Sequence, residues 1–143
     1  MKNKVMAIGV AALLATVGCS TTWTEGDVAL LAQDLRDVAR EGTIYALAEE
    51  PEWRGHVMVV RDQLVVLSEH SDPVTFDSIL AVFQGLPLDE LKSTEARLAI
   101  TTARMTLRRA GRNVELGNIT QQKPLAKGLA DGITEGLNFV PVP

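Results

Sequence analysis

The chain has 143 residues, of which 46% are hydrophobic and 22% charged, and this composition suits one globular domain rather than a disordered segment or a multi-pass membrane protein. Aromatic residues make up only 4% of the sequence, so the core must be aliphatic, and platforms for stacking bases or sugars have little material. The net charge of −4 argues against broad binding of nucleic acid.

The first 18 residues have the three-part layout of a secretion signal. Lys2 and Lys4 give a positive start, an apolar segment runs from Val5 to Ala15, and small residues follow. A helix that spans a bilayer needs about 20 apolar residues, so this segment is too short for a permanent span. We expect residues 1–18 to be a signal peptide that directs export and is then removed.

The segment ends in TVGC, and Cys19 is the only cysteine of the chain. This ending resembles the lipobox of bacterial lipoprotein precursors: Gly18 and Cys19 match, and Thr16 stands where the family most often has leucine. The resemblance implies cleavage between Gly18 and Cys19 and attachment of diacylglycerol to the thiol of Cys19. Ser20, at the next position, is similar to signals that send lipoproteins to the outer membrane.

Lipid attachment gives both matching residues a physical role. The thiol of Cys19 is the group that is alkylated, and Gly18 leaves room for enzymes that act on either side of it. Each acyl chain contributes about 0.8 kcal/mol per buried methylene, so two or three chains hold a protein firmly. The alternatives are an ordinary signal peptide with an incidental cysteine and an uncleaved signal anchor. An ordinary signal peptide prefers an A-x-A-like cleavage site, and residues 15–20 do not supply a good one.

After the signal peptide, the sequence divides into a polar tether at residues 19–24 and a helical domain at residues 25–143. Thr24 followed by Asp27 is typical of a helix N-cap with an acidic partner. Apolar or small residues then recur every three or four positions to about residue 49, which predicts a first helix with one buried face. They are Val28, Leu31, Leu35, Val38, Gly42 and Tyr45.

Two further helices are predicted next. Pro51 ends the first helix and suits the opening turn of a second, whose apolar spacing continues to about Glu69. A turn follows, and either Asp72 or Thr75 can cap a short third helix. That helix is expected to stop near Gly85.

The fourth predicted helix spans about Leu88 to Ala110 and ends at Gly111. Its last turns carry three arginines, where positive charge complements the carbonyl end of the helix dipole; they are Arg104, Arg108 and Arg109. A final helix is predicted from about Pro124 to Leu137. No strand-like alternation of useful length appears, so the predicted fold class is all-α, a small bundle of four to five helices.

A column of glycines marks the final helix. Gly128, Gly132 and Gly136 recur at four-residue spacing, and each costs about 1 kcal/mol in helix propensity. Such a strip lets two helix backbones approach closely when the opposing surface is also small. We expect the column to pack within one chain, against the alanines of the fourth helix, rather than between chains or in a membrane. Those alanines are Ala96, Ala99, Ala103 and Ala110.

Charge is divided unevenly along the chain. Residues 19–90 hold fourteen acidic and four basic side chains, whereas residues 91–143 hold four acidic and eight basic ones. The interpretation we favour is electrostatic matching of the two halves within one bundle. The alternative is a basic surface that binds a partner.

Few residues suggest catalysis or cofactor binding. His56 and His70 have no cysteine nearby and lack the spacing of a metal site. Glu52 and His56 can share a helix face as an acid–base pair, although an exposed polar pair is the simpler interpretation. Glu49, Glu50 and Glu52 cluster near a tryptophan, but glycoside hydrolysis also needs sugar-binding platforms that this chain lacks. We predict no catalytic residue, no metal site and no cofactor.

The anchor therefore dominates the predicted function. We expect a monomeric lipoprotein of the bacterial envelope, held on the outer membrane by lipid on Cys19, with a non-catalytic interaction or structural role facing the periplasm. The expected partners are the membrane and an envelope protein, not nucleic acid. In its general build the chain is similar to small lipoproteins encoded by phages and prophages. The alternatives are a periplasmic hydrolase that uses Glu52 and His56, and a soluble exported binding module.

Overall fold

The structure is an all-α bundle, which confirms the predicted fold class. A computed structural model describes residues 25–69, 74–113 and 122–142, and all regular structure within these ranges is helical. The five helices are α1 (Glu25–Glu49), α2 (Arg54–Glu69), α3 (Phe76–Gln84), α4 (Thr94–Asn113) and α5 (Lys123–Phe139). Single turns of 3₁₀-helix at Pro51–Trp53 and Leu88–Glu90 precede α2 and α4.

Part of the sequence prediction concerns residues outside the described ranges. These residues are the signal peptide at 1–18, the cleavage and lipid-attachment residues Gly18 and Cys19, the tether at 19–24, His70 and Asp72.

The first three helices end where their patterns predict, and α3 has the predicted cap. The Thr75 hydroxyl accepts a hydrogen bond from the backbone N–H of Ser78 (3.1 Å), and the Ser78 hydroxyl accepts one from the N–H of Thr75 (3.0 Å). This reciprocal pair is a capping box, which satisfies two backbone donors that a helix start leaves without partners. Of the two predicted caps, Thr75 is therefore the one that acts within the described residues.

The predicted start of α4 at Leu88 is wrong. Residues 88–90 form a separate 3₁₀ turn, and α4 begins only after Ser93. The Ser93 hydroxyl accepts a hydrogen bond from the N–H of Ala96 (3.2 Å), which is the contact that an N-cap serine makes.

The predicted end of α4 at Gly111 is also wrong, because the helix continues to Asn113. Gly111 instead permits a close contact with α3, since a Cβ there would lie 3.2 Å from the Cβ of Phe76. Arg104, Arg108 and Arg109 consequently lie before the last turn. The helix dipole acts within the last turn, so it does not account for these arginines.

Successive helices run in alternating directions. α4 is antiparallel to α1, because Gly42 in α1 lies against Ala99 while Glu50, just after α1, contacts Lys92, just before α4. α2 begins beside the end of α5, where the Arg54 side chain reaches the last carbonyls of that helix.

α5 runs parallel to α1 in a constant register. The neighbouring residues are Gly128 with Ala32, Gly132 with Arg36, and Gly136 with Arg40 and Thr43. The bundle thus has two ends. At the proximal end α1 and α5 begin and α4 ends; at the distal end α1 and α5 end and α2 and α4 begin.

The core is aliphatic, as the composition requires. Burial of each large side chain contributes about 1.5–3 kcal/mol. The largest fully buried side chains are Leu31, Leu35, Leu47, Leu64, Val74, Ile79, Leu91, Leu107, Leu125 and Leu129.

The glycine column packs within the chain, but its predicted partner is wrong. α5 makes extensive contacts with α1 and α2 and at most marginal contact with α4. A Cβ at Gly128 would lie 2.5 Å from the carbonyl oxygen of Ala32, and one at Gly136 would lie 2.9 Å from that of Arg40. The column therefore receives the backbone of α1.

The alanines of α4 serve a different contact. Ala96, Ala99, Ala103 and Ala110 are all buried, and a Cβ at Gly42 would lie 2.8 Å from the Cβ of Ala99. α1 thus packs closely on α4 at Gly42, a glycine of α1. It packs closely on α5 at the three glycines of the column, which belong to α5. The spacing of the alanines correctly indicates a buried face but does not identify the helix that covers it.

We expect Gly132→Ala to destabilise the fold. The added Cβ would lie 2.9 Å from the carbonyl carbon of Arg36 and 3.0 Å from the Cβ of Ala39, so the two helices must separate. Overpacking costs about 1–3 kcal/mol, which exceeds the gain of up to about 1 kcal/mol in helix propensity. The thermal unfolding midpoint, measured by circular dichroism, should fall.

Gly55→Ala is the matched control, because Gly55 lies in the first turn of α2 and a Cβ there meets nothing within 4 Å. This variant should keep or raise the midpoint. An unchanged midpoint for Gly132→Ala would contradict the close packing of α5 on α1. Sedimentation of both variants tests the alternative that the column joins two chains.

Candidate functional site

Glu52 and His56 do not form an acid–base pair. Both side chains are exposed, and within the described residues no hydrogen bond or ion pair joins them. The His56 ring lies beside that of Trp53, with ring centroids 5.0 Å apart, and Trp53 is buried. A general base is oriented by a hydrogen-bonded partner, and Glu52 does not serve His56 in this way.

The three neighbouring glutamates separate in the structure. Glu49 and Glu52 are exposed, whereas Glu50 is only 4% exposed. A carboxylate oxygen of Glu50 accepts a hydrogen bond from the backbone N–H of Lys92 (2.7 Å). Burying a carboxylate is costly unless it is bonded, so this contact gives Glu50 a structural role, joining the end of α1 to the segment before α4. The donor is 42 residues away, and no local sequence signal indicates it.

Arg54 makes a second connection at the distal end, between α2 and α5. Its guanidinium donates hydrogen bonds to the carbonyl oxygens of Leu137 (3.4 Å) and Val140. The last carbonyls of a helix have no intrahelical partner, and positive charge is favourable at that end. Arg54 therefore ties the start of α2 to the end of α5.

A cluster of charges borders the glycine column. Glu135 of α5 accepts hydrogen bonds from Nε (2.7 Å) and Nη2 of Arg36, and the Arg40 guanidinium lies 3.5 Å from its other oxygen. The hydrogen bond to Glu135 and the charge of that carboxylate raise the pKa of Arg36. Exposed ion pairs stabilise a fold only weakly, so the cluster chiefly favours the observed register of α5 along α1.

Two further groups have shifted pKa values, chiefly because of burial. Burial, followed by the neighbouring charge of Asp37, raises the pKa of Asp34. Burial, followed by the charges of Glu41 and Glu95, raises the pKa of Tyr45. Both shifts favour the neutral form, and neither group lines one of the two cavities described next.

The first cavity is apolar and lies in the middle of the bundle. Its volume is about 60 Å³, and Val38, Trp53, Phe83, Ala103 and Ile133 are among the residues that line it. Sites for small molecules usually have roughly 300–1,000 Å³. This cavity is therefore a gap in the packing rather than a ligand site.

The second cavity is an open groove of about 580 Å³ between α2 and α3. Val59, Val66, Leu67 and Val82 supply its apolar lining, and Asp62 is its one charged residue. The groove is large enough for a ligand, but a specific site also needs several convergent polar groups to orient the ligand. Its polar lining is limited to the carboxylate, a glutamine and a serine.

Among the described residues, Arg97, Arg104, Arg108 and Arg109 of α4 form no ion pair with the acidic half of the chain, so the expected matching of the two halves is not made through these side chains. Ion pairs within the described residues involve Arg36, Arg40, Arg61 and Lys127, and none involves an arginine of α4. The pairs that join the two halves run the opposite way, from Arg36 and Arg40 in the acidic half to Glu135 in the basic half.

These arginines contribute to one outer side of α4, which we call the arginine face. With 3.6 residues per turn its members fall within about 120° of the helix circumference. No acidic residue occurs between Glu95 and Glu115, and the two apolar members are 44% and 43% exposed. The face consists of Arg97, Leu98, Thr101, Met105, Arg108 and Arg109, all exposed.

The described residues offer no metal site and no membrane-spanning helix. The described residues contain no group of three or more His, Cys, Asp or Glu side chains that could hold a metal ion. None of the helices in residues 25–69, 74–113 and 122–142 has the length and apolarity to cross a membrane. Comparison of the chain with protein families, curated proteins and solved structures finds no match.

We expect Glu50→Ala to destabilise the domain. The substitution removes the charged acceptor of the part-buried hydrogen bond from the Lys92 N–H, and a hydrogen bond to a charged group contributes about 1.5–3 kcal/mol. The urea concentration at the midpoint of unfolding, measured by circular dichroism, should fall in proportion to this loss of free energy.

Glu49→Ala provides the control, because Glu49 is the adjacent carboxylate and is exposed. An exposed substitution of this kind changes stability by less than about 0.5 kcal/mol. Equal effects of the two substitutions would contradict the structural role assigned to Glu50.

Proposed function

We propose that this protein is a lipoprotein of the bacterial envelope, anchored by lipid on Cys19, with a structural or protein-interaction role rather than a catalytic one. The leader carries the proposal. In it Lys2 and Lys4, a short apolar segment and TVGC occur in the order that such precursors have. The chain contains no other thiol, so lipid attachment has a single chemical target.

The position of α1 supports an anchored domain. α1 begins at Glu25, six positions after Cys19, and six extended residues span at most about 20 Å. Lipid on Cys19 would thus hold the proximal end of the bundle near a membrane. The distal end, where Phe139 and Val142 are 71% and 72% exposed, would then point away from the anchor and present apolar side chains to a partner.

The roles of the charged side chains support a non-catalytic function. Glu50 and Arg54 bond to backbone groups, and Arg36 pairs with Glu135 across two helices. These side chains hold helices together, which is the expected use of charge in a structural or docking domain.

The residue after the cysteine indicates the membrane to which the proposed lipoprotein is sent. Ser20 favours transfer to the outer membrane, with the bundle facing the periplasm. Encoding by a phage or prophage is part of the same proposal and rests only on the general build of the chain.

We expect wild-type protein expressed in a bacterium to incorporate labelled fatty acid and to remain with membranes. Cys19→Ser should do neither, because an alcohol oxygen does not replace the thiol that the lipid-transferring enzyme alkylates. Labelling is read by fluorography, and partition by sedimentation after a high-salt wash.

Ser20→Ala is the control, since it changes the neighbouring residue and keeps the thiol. This variant should be labelled like the wild type. Fatty acid on the Cys19→Ser protein would end the lipoprotein proposal. Wild-type protein that is exported, unlabelled and released by salt would identify a soluble module instead.

A further inference from the structure

We propose that the arginine face of α4 docks on anionic phospholipid headgroups of the membrane that holds the anchor, so that the bundle leans against the bilayer along α4. This inference rests on the proposed lipid anchor. It names a second contact with the same membrane, made by the folded domain itself.

The chemistry of the arginine face fits an anionic lipid surface. Arg97, Arg108 and Arg109 are exposed, and no described acidic side chain pairs with them. Basic residues are attracted to a membrane that contains anionic lipids. Leu98 and Met105 lie between the arginines on the same face, and apolar side chains in such positions enter the boundary between headgroups and acyl chains.

The placement of α4 brings this face close to the anchor. Gly42 meets Ala99, and α4 runs antiparallel to α1, so Arg108 lies beside about residue 33 of α1. With a rise of 1.5 Å per residue, that level is about 12 Å from Glu25 along the helix axis. A tether of at most about 20 Å therefore lets lipid on Cys19 and the arginine face reach the same bilayer.

The other exposed surfaces suit an anionic membrane less well. Lys127 on α5 is already paired with Asp131 (2.9 Å). The groove between α2 and α3 is apolar and has Asp62 as its one charged lining residue. The arginine face combines exposed arginine and apolar side chains and has no acidic member, since Glu95 lies outside it.

The test uses full-length lipidated protein reconstituted into vesicles. One set of vesicles is pure phosphatidylcholine, and the other contains about 30% phosphatidylglycerol as the anionic lipid. Since lipid occupies Cys19, Thr101→Cys supplies a single free thiol in the arginine face for a polarity-sensitive fluorophore. Val59→Cys in the groove and Phe139→Cys at the distal end supply matched exposed sites.

The expected result is a blue shift of the Thr101→Cys label in phosphatidylglycerol vesicles only. Salt at 1 M should abolish the shift, since the Debye length is then about 3 Å. Each arginine changed to glutamine should lower the ratio of docked to undocked protein about fivefold, and Arg97→Gln, Arg108→Gln and Arg109→Gln together should lower it on the order of 100-fold. Lys92→Gln, an exposed charge change at the distal end, should have no effect.

Two kinds of result overturn the inference and are distinguishable. Vesicle-bound protein whose Thr101→Cys label is the same in both lipids, or whose blue shift appears at Val59→Cys or Phe139→Cys instead, contradicts docking through α4 and leaves the anchor intact. Protein that does not stay with vesicles, or whose Cys19 reacts with the fluorophore, contradicts the anchor and therefore both proposals.

Discussion

The bundle depends on the close approach of α5 to α1 along three glycines. Carbonyl oxygens of α1 occupy the space that side chains would take at Gly128 and Gly136, so the contact is one of backbone against backbone, of the kind in which weak Cα–H···O interactions recur. It also aligns the first and last helices in parallel. Helices that reverse direction at each short connection can bring a parallel pair together only with an odd number of helices between them. α2, α3 and α4 supply the three that this arrangement needs.

Charged side chains hold this arrangement in register, and they do so mostly at the distal end and along the α1–α5 contact. Glu50 bonds the segment before α4, Arg54 bonds the last carbonyls of α5, and Glu135 receives Arg36 from α1. The proximal half of α4 has a different character, because its exposed arginines have no such partners among the described residues. The molecule thus separates the charges that organise the fold from the charges that remain available to the surroundings.

Much of the fold could be predicted from local patterns, and the parts that could not are those set by distant residues. Apolar spacing identified the helices, and the Thr75 cap was visible because its partner is three residues away. Ser93 carried an equally local cap signal that would have corrected the start of α4. The glycine spacing predicted a close helix contact, but periodicity describes one face of one helix and cannot choose between α1 and α4 as its neighbour. Glu50 looked like any helix-end acid, since the N–H that it accepts from is 42 residues away.

The parallel pairing of the first and last helices has a kinetic consequence. The hydrogen bonds between Arg36 and Glu135 join residues 99 positions apart, so the contact that organises the bundle is also among its least local. Contacts between residues far apart in sequence form late, because closing the long loop between them costs conformational entropy before the contact contributes any stability. During synthesis from the N-terminus, the side of α1 that receives the glycines stays uncovered until α5 has been made. A chain truncated before α5 still contains the sequences of the other four helices but lacks the helix that covers this side of α1.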